Sequence, residues 1–290
     1  MRAISSVGEQ CPYKAKAVGS TPTSPIFDKK PMIQAYKDIT VERDETTAVV
    51  TMRRPEKRNA LSLAMMRELA GALSELGSDP SVHAIILCGE GPAFSAGHDL
   101  RELRGAGAGA YEEIFTQCVA LMDTIERVAQ PVIAEVGALA TAAGAQLVAA
   151  CDLAVASHTA RFATPGVRIG LFCSTPMVAL SRDIGRKRAL QMLLTGEPID
   201  ATTALSWGLV NAVVAPEELR ATTRALAAKI AESSRTVVGL GKAAFYHQLD
   251  LSQSEAYAYT RGIMIKNAQL ADAQEGIGAF IDKRTPEWRG

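Results

Sequence analysis

Three features of the sequence predict a mixed α/β fold. Short apolar runs bounded by Gly, Pro or charge alternate with longer stretches of helical apolar spacing. The alternation repeats along the chain, and beyond about residue 176 helical periods dominate. Ala48 to Met52 and Ala84 to Cys88 read as buried strands. Between them Met66, Leu69, Leu73 and Leu76 recur at helical spacing, after Ser62 as an N-cap and before Gly77 as a stop signal.

A second unit follows, with Ile114, Cys118, Leu121, Ile125 and Val128 on one helical face and Val132 to Val136 as the next strand after Pro131. In a third, Ala142 to Ala150 reads as helix and Asp152 to Ala156 as extended. The C-terminal part reads as helices over Pro176 to Ile184, Arg186 to Leu194, Ala201 to Trp207, Glu217 to Ser233, Arg235 to Phe245, Ser252 to Ala268 and Ala273 to Lys283, interrupted only by a strand at Val210 to Val214. The expected organisation is a tail over 1–31, a core over 36–220, and a helical region over 221–290 that serves subunit contacts or a lid.

With 290 residues, 48% of them hydrophobic, the chain can bury a sizeable core. Lys plus Arg and Asp plus Glu both total 31, so no global field draws in nucleic acid, and any anionic ligand must be met locally. No apolar stretch is long enough for membrane insertion. Cys11, Cys88, Cys118, Cys151 and Cys173 are scattered, with no C-x-x-C pair, which argues against a disulfide framework and a metal site. A reducing compartment fits that usage: cytoplasm, or mitochondrial matrix in a eukaryotic source. Residues 1–31, interrupted by Pro12, Pro22, Pro25 and Pro31, read as a disordered tail with weak transit-peptide character, and Met32 is an alternative start.

Two segments can carry chemistry. Gly89 to Leu103, GEGPAFSAGHDLREL, leaves a strand and enters a helix near Asp99; Gly137 to Gly144, GALATAAG, does the same with tiny side chains. Backbone N–H groups at two such turns can converge on one carbonyl oxygen and stabilise an oxyanion without any ionisable residue. The bland alternatives are an ordinary turn capped by Asp99 and small residues that allow close helix packing. Gly105, Gly107 and Gly109 imitate a dinucleotide loop but lack its spacing and its preceding strand, and read as a flexible loop on the substrate side. No P-loop, H-E-x-x-H or G-x-S-x-G motif is present.

Together these turns resemble the paired oxyanion-hole signatures of the enoyl-CoA hydratase/isomerase (crotonase) superfamily. RPEKRNAL at 54–61, Cys151-Asp152, LTGEPIDATTALSWGLVNAVV at 194–214 and EGIGAFIDKR at 275–284 resemble further family motifs in the family's order. AGHDL, ATAAGAQLVAACD, FATPGVRIGLFCSTP and GKAAFYHQL resemble one subgroup of that superfamily. The resemblance implies a spiral of repeated β-β-α units with a helical C-terminal region, an acyl-coenzyme A ligand, a homotrimer or hexamer, and no permanently bound cofactor, coenzyme A arriving as part of the substrate.

It also implies roles for residues. The oxyanion donors fall on the N–H groups of Ala96 and Ala143; the second is usually Gly, and Ala there is strained if φ is positive. The two acid/base glutamates of hydratases fall on Gln146 and Gly166. Gln146 can hold water but cannot take its proton, and Gly166 has no side chain, so conventional hydration lacks both groups. Lys57, Arg58 and Ala60 of the early loop, with Gly97, His98, Asp99 and Leu100 after the first turn, are placed along the ligand, and Phe280 and Lys283 approach its adenine end. His98 is a substitute catalytic candidate against a structural reading. Cys173, before a helix start near Pro176, is a candidate for a lowered thiol pKa.

Three functional readings follow. The first is an enzyme that stabilises a thioester enolate or oxyanion. The second is a non-catalytic acyl-CoA binder, and the third an acyl-CoA thioesterase or decarboxylase.

Overall fold

The computed structural model describes residues 36–290. The tail expected over 1–31, Cys11 and Met32 lie outside the described residues. The chain starts with an antiparallel hairpin of β1 (Ile39–Asp44) and β2 (Thr47–Met52), and helix α1 (Leu63–Ser78) returns it to β3 (Ala84–Gly89), which pairs in parallel with β2. Ser62 caps α1 as its sequence position predicts, its hydroxyl accepting from Met65 N. Gly77 lies inside the helix and does not stop it.

From β3 to β8 the chain adds one strand to each of two sheets before each helical segment. β4 (Ala93–Ser95) leads through the short α2 (Leu100–Leu103) to α3 (Ala108–Arg127). β5 (Val132–Val136) and β6 (Leu139–Thr141) lead to α4 (Ala143–Ala150), and β7 (Leu153–Ser157) and β8 (Arg161–Ala163) to α5 (Pro176–Asp183). α6 (Arg186–Thr195), β9 (Ile199–Asp200), α7 (Ala201–Trp207), β10 (Ala212–Val214) and α8 (Leu219–Ala231) follow. The chain ends in α9 (Arg235–Leu249), α10 (Gln253–Ala268) and α11 (Ala271–Asp282). The large sheet has the order β1-β2-β3-β5-β7-β10 and the small one β4-β6-β8-β9. This is the predicted β-β-α spiral.

Strand periodicity divides the core. Val50, Ile85, Leu87, Val132, Ala134 and Val136 face the main core with α1 and α3, whereas Val49, Ile86, Cys88 and Ile133 face Ala227 of α8 across the sheet. The boundary expected near residue 220 therefore falls inside a helix packed on the sheet. α4 is buried from Ala143 through Ala149, so its small, all-round apolar surface places it between layers.

The sequence reading missed β1 and the whole small sheet, and β9 is a second interruption of the helical C-terminal part. Three of the small-sheet strands have three residues each and the fourth has two, too short for a period-two pattern to register. Gly109 belongs to α3 and Gly107 is its N-cap, so the glycine-rich loop is shorter than expected.

α9 is tied to the core by a buried network. Lys242 Nζ donates to Asp152 Oδ2 at 2.7 Å and to the carbonyls of Ile125 and Gln130. The Tyr246 hydroxyl donates to Asp152 Oδ1 at 2.9 Å, and Val132 N donates to Asp152 Oδ2. Burial raises the Asp152 carboxyl and lowers the Lys242 ammonium, each opposed by the other's charge. The aspartate of Cys151-Asp152 and the lysine of GKAAFYHQL thus belong to one structural contact.

Candidate active site

Both predicted turns meet at one place. A Cβ built at Gly97, whose φ is +83°, would lie 2.8 Å from Ala142 Cβ and 3.0 Å from Ala143 N, and one at Gly144 would lie 2.2 Å from Ser95 O. Only glycine allows this approach of the β4–α2 turn to the start of α4. The parallel pairing of β4 with β6 brings the turns together, and Ala142 N, donating to Ala163 O at 2.9 Å, fixes the second turn to β8.

The early loop closes the first turn. Asn59 is fully buried with φ 51°; its amide nitrogen donates to Glu90 O and Ala93 O, and its Oδ1 accepts from Arg54 N. Ser95 Oγ donates to Asn59 O at 2.8 Å, and Leu61 N donates to Gly97 O at 2.8 Å. Arg54, almost fully buried, pairs with Asp99 at 3.0 Å and donates to Ala60 O at 2.8 Å. Asn59 carries no charge, and its only sequence signal is an asparagine between a loop and an apolar run, which is why its role was not read.

The expected donors differ in state. Ala143 is the first residue of α4, and its N–H has no acceptor among the described residues. Ala96 N, by contrast, donates to Arg58 O at 2.9 Å. The first expected oxyanion donor is therefore already committed to the early loop, because Arg58 and Asn59 both hold positive φ and turn that carbonyl inward. The strain anticipated for alanine sits one residue earlier than expected: Ala142 has φ 51° and ψ −119°, and Ala143 enters the helix.

At the two replaced glutamate positions the structure is neutral. Gln146 is 4% exposed, and among the described residues its Oε1 accepts from the Cys118 thiol alone, at 3.8 Å. Burial pushes that thiol up to about 12. Gly166 has no room for a side chain: its Cβ would lie 2.0 Å from Leu171 O and 2.8 Å from Cys173 Sγ. Leu171 N donates to Gly166 O, folding the segment back over the position.

The remaining candidates sort by their partners. His98 packs edge-on against Phe115 with ring centroids 5.3 Å apart; its buried Nε2 has no partner among the described residues, and burial lowers it to about 4, so the imidazole is neutral. Asp99 caps α2 by accepting from Arg101 N, and burial, which alone would raise its carboxyl, is outweighed by those bonds and by the charges of Arg54 and Lys57. Both its oxygens accept hydrogen bonds within the protein, from Arg54 and from Arg101 N. Cys173 is corrected in direction: burial raises its thiol, and a hydrogen bond from the Gly166 backbone only partly offsets this.

Lys57, Arg58 and Leu100 are exposed, Ala60 is half-buried, and among the described residues no ion pair engages either cation. Phe280 is 82% exposed on α11, and Lys283 is exposed at that helix's C-cap with φ 57°. α11 packs on α9 and α10, and no hydrogen bond joins these two residues to the early loop.

A chain of β-β-α turns with two glycine-locked strand-to-helix turns in contact is the architecture that the sequence motifs imply. The sequence profile of the enoyl-CoA hydratase/isomerase family matches residues 42–290, and the chain belongs to that family. The subgroup that AGHDL and its companions resemble is also found by comparison. The chain is 49% identical over 240 residues to the mitochondrial enoyl-CoA hydratase domain-containing protein 3 of Xenopus laevis, covering 82% of each. It is 50% identical to the protein of that name from Homo sapiens, covering 82% of this chain and 79% of the relative. The crystal structure of that human protein matches with a TM-score of 0.85 at 48% identity, over 87% of this chain and 100% of that one. A Mycobacterium smegmatis enoyl-CoA hydratase structure matches with a TM-score of 0.85 at 47% identity, over 88% of this chain and 100% of that one. Among the described residues no helix is long and apolar enough to cross a membrane.

Proposed function

We propose that this chain binds an acyl-coenzyme A thioester and polarises its carbonyl at the start of α4, without the acid/base pair that adds water to an enoyl thioester. The uncommitted Ala143 N–H carries the reading: it stands at a helix N-terminus, against a turn that only glycine permits, where a carbonyl oxygen would gain a donor and the positive end of the helix. Ala96 N is the second donor once its bond to Arg58 O is exchanged or shared. One such donor contributes about 3 kcal/mol to an oxyanionic transition state.

The charged end of the ligand is met locally. Lys57 and Arg58 stand unpaired on the loop whose carbonyl touches the turn, and they are suited to coenzyme A phosphates. Phe280 and Lys283 of α11 would reach the nucleotide end from the exposed C-terminal helices, in the same subunit or a neighbouring one of a homotrimer or hexamer.

Proton transfer is where this site parts from a hydratase. Gln146 cannot ionise, Gly166 is sealed by Leu171 O, His98 is a neutral imidazole, and the Cys118 and Cys173 thiols are raised. Asp99 and Glu102 are occupied by Arg54 and Leu63 N. Enolate or oxyanion chemistry that needs no side-chain base fits this lining; hydration does not. The commitment of Ala96 N to Arg58 O favours one further reading, a non-catalytic acyl-CoA binder.

Mass spectrometry of acyl-, enoyl- and malonyl-type thioesters incubated with the chain in heavy water separates these readings. Decarboxylation, free coenzyme A or α-deuteration supports a catalytic oxyanion site. Retained but unchanged ligand supports the binder. A hydrated product overturns the account of Gln146 and Gly166.

A further inference from the structure

Helix α11 is held to the molecule by polar bonds more than by apolar burial. Of its 12 residues only Asp272 and Ala279 are buried, so it brings no apolar stripe to the core and must be fastened in another way. Its neighbour α10 has no buried residue at all. The fastening comes from residues 284–290, which run back along α11 toward its start. Arg284 forks onto the Glu275 carboxylate at 2.6 and 2.9 Å, and Glu287 N donates to the same group at 2.8 Å. Arg289 N donates to Asp272 Oδ1 at 2.8 Å, while Asp272 Oδ2 accepts from Ser234 Oγ of the α9 N-cap. Trp288 completes the crossing. Its Nε1 donates at 2.7 Å to the carbonyl of Glu232, the C-cap of α8, and its ring lies on Gly276, where a Cβ would stand 3.2 Å from the ring edge.

The segment thus joins α11 to the junction of α8 and α9, and α9 is itself anchored in the core through Lys242 and Asp152. It begins directly after Lys283, the C-cap of α11, which holds a left-handed conformation of φ 57° and ψ 41°. A lysine takes that conformation only where its surroundings impose it. Here they do: Arg284 N donates to Ala279 O at 3.0 Å, and the two-point bond of the Arg284 side chain to Glu275 fixes the direction in which the chain leaves the helix. The backbone of Lys283 is therefore set by bonds made on either side of it.

We infer that residues 284–290 form a clasp that positions Lys283 for the phosphate-bearing end of the ligand, with Trp288 and Glu275 as positioning residues that act through it. The inference rests on the acyl-CoA reading above and adds to it how the exposed end of α11 is held ready.

The test is calorimetric titration of the full chain with octanoyl-CoA and with octanoyl-pantetheine, which carries the same thioester without the nucleotide and its phosphates. It is repeated with Trp288→Ala, Glu275→Ala, Lys283→Ala and the double variant Trp288→Ala with Lys283→Ala. Lys283→Ala is expected to reduce the preference for octanoyl-CoA about fivefold. Each clasp variant reduces it by a similar factor, the double variant reduces it no further, and octanoyl-pantetheine binds all of them as it binds the unaltered chain. Full preference in the clasp variants or in Lys283→Ala overturns the inference. So do additive losses in the double variant, or an equal loss for both thioesters, which would make the clasp a support of the fold alone. Equal binding of the two thioesters by the unaltered chain removes the nucleotide contact at α11 and this inference with it. Failure of both to bind overturns the acyl-CoA reading itself.

Discussion

The two flanks of the site are built by opposite means. On the side of the turns, polar groups are dense and nearly all satisfied: Asn59, Arg54, Asp99 and Ser95 bond one another and the local backbone. On the side of Gln146 and Gly166 there is one weak thiol contact and a carbonyl filling the space of a side chain. The first flank holds geometry and the second would hold proton chemistry. On the proposed function the first flank polarises a carbonyl, while Gln146 and Gly166 put neutral groups at the positions that the family resemblance assigns to an acid and a base.

The largest effects should come where glycine permits contact. Gly144→Ala forces a methyl to 2.2 Å from Ser95 O, so the turns must part, and a loss of about 3 kcal/mol or more is expected in urea unfolding. Wild-type stability in that variant would break the claim that the turns are locked. Gly166→Glu meets Leu171 O at 2.0 Å in the same way. Gln146→Glu with Gly166→Glu should therefore lose stability and gain no hydratase activity until the 171–173 segment is also remodelled, as a coupled assay on an enoyl thioester would show.

Asn59→Ala comes next. It orphans the Arg54 N–H and two carbonyls in a dry site, at a cost of about 2–3 kcal/mol, which chemical denaturation reads directly. On the neutral flank, His98 titrates at about 4 against 6.5 in the unfolded chain. Within that window the unfolded chain binds the extra proton, so stability is complete above about 6.5 and is lost as pH falls toward about 4. His98→Gln should therefore flatten the fall of Tm on acidification, and an unchanged slope would contradict a buried neutral imidazole. The smallest effect is a gain: Ala142→Gly relieves φ 51°, ψ −119° and should stabilise the chain by about 1 kcal/mol.

Much of this was legible in the sequence because it is written in apolar periodicity and in motif order. β2, β3 and β5 and the helices from α1 to α11 follow from the first signal, and the β-β-α spiral from the family resemblance that the motif order carries. The small sheet did not, since strands such as Ala93–Ser95 and Leu139–Thr141 are shorter than one full alternation. At the site, Gln146 and Gly166 could be read as lacking a base, but not that Leu171 O closes over the glycine, because that closure depends on a turn five residues on. The one-residue misplacement of backbone strain, Ala142 for Ala143, and the reversed shift at Cys173 have the same origin. Both depend on where the backbone turns and how deeply it packs, and residue types alone do not specify either.

The most direct test of the account is to present crotonyl-CoA to the purified chain and follow the enoyl thioester together with its binding heat. The account predicts heat of binding with the double bond intact and no β-hydroxyacyl thioester formed. Steady conversion to the hydroxyacyl thioester would contradict it.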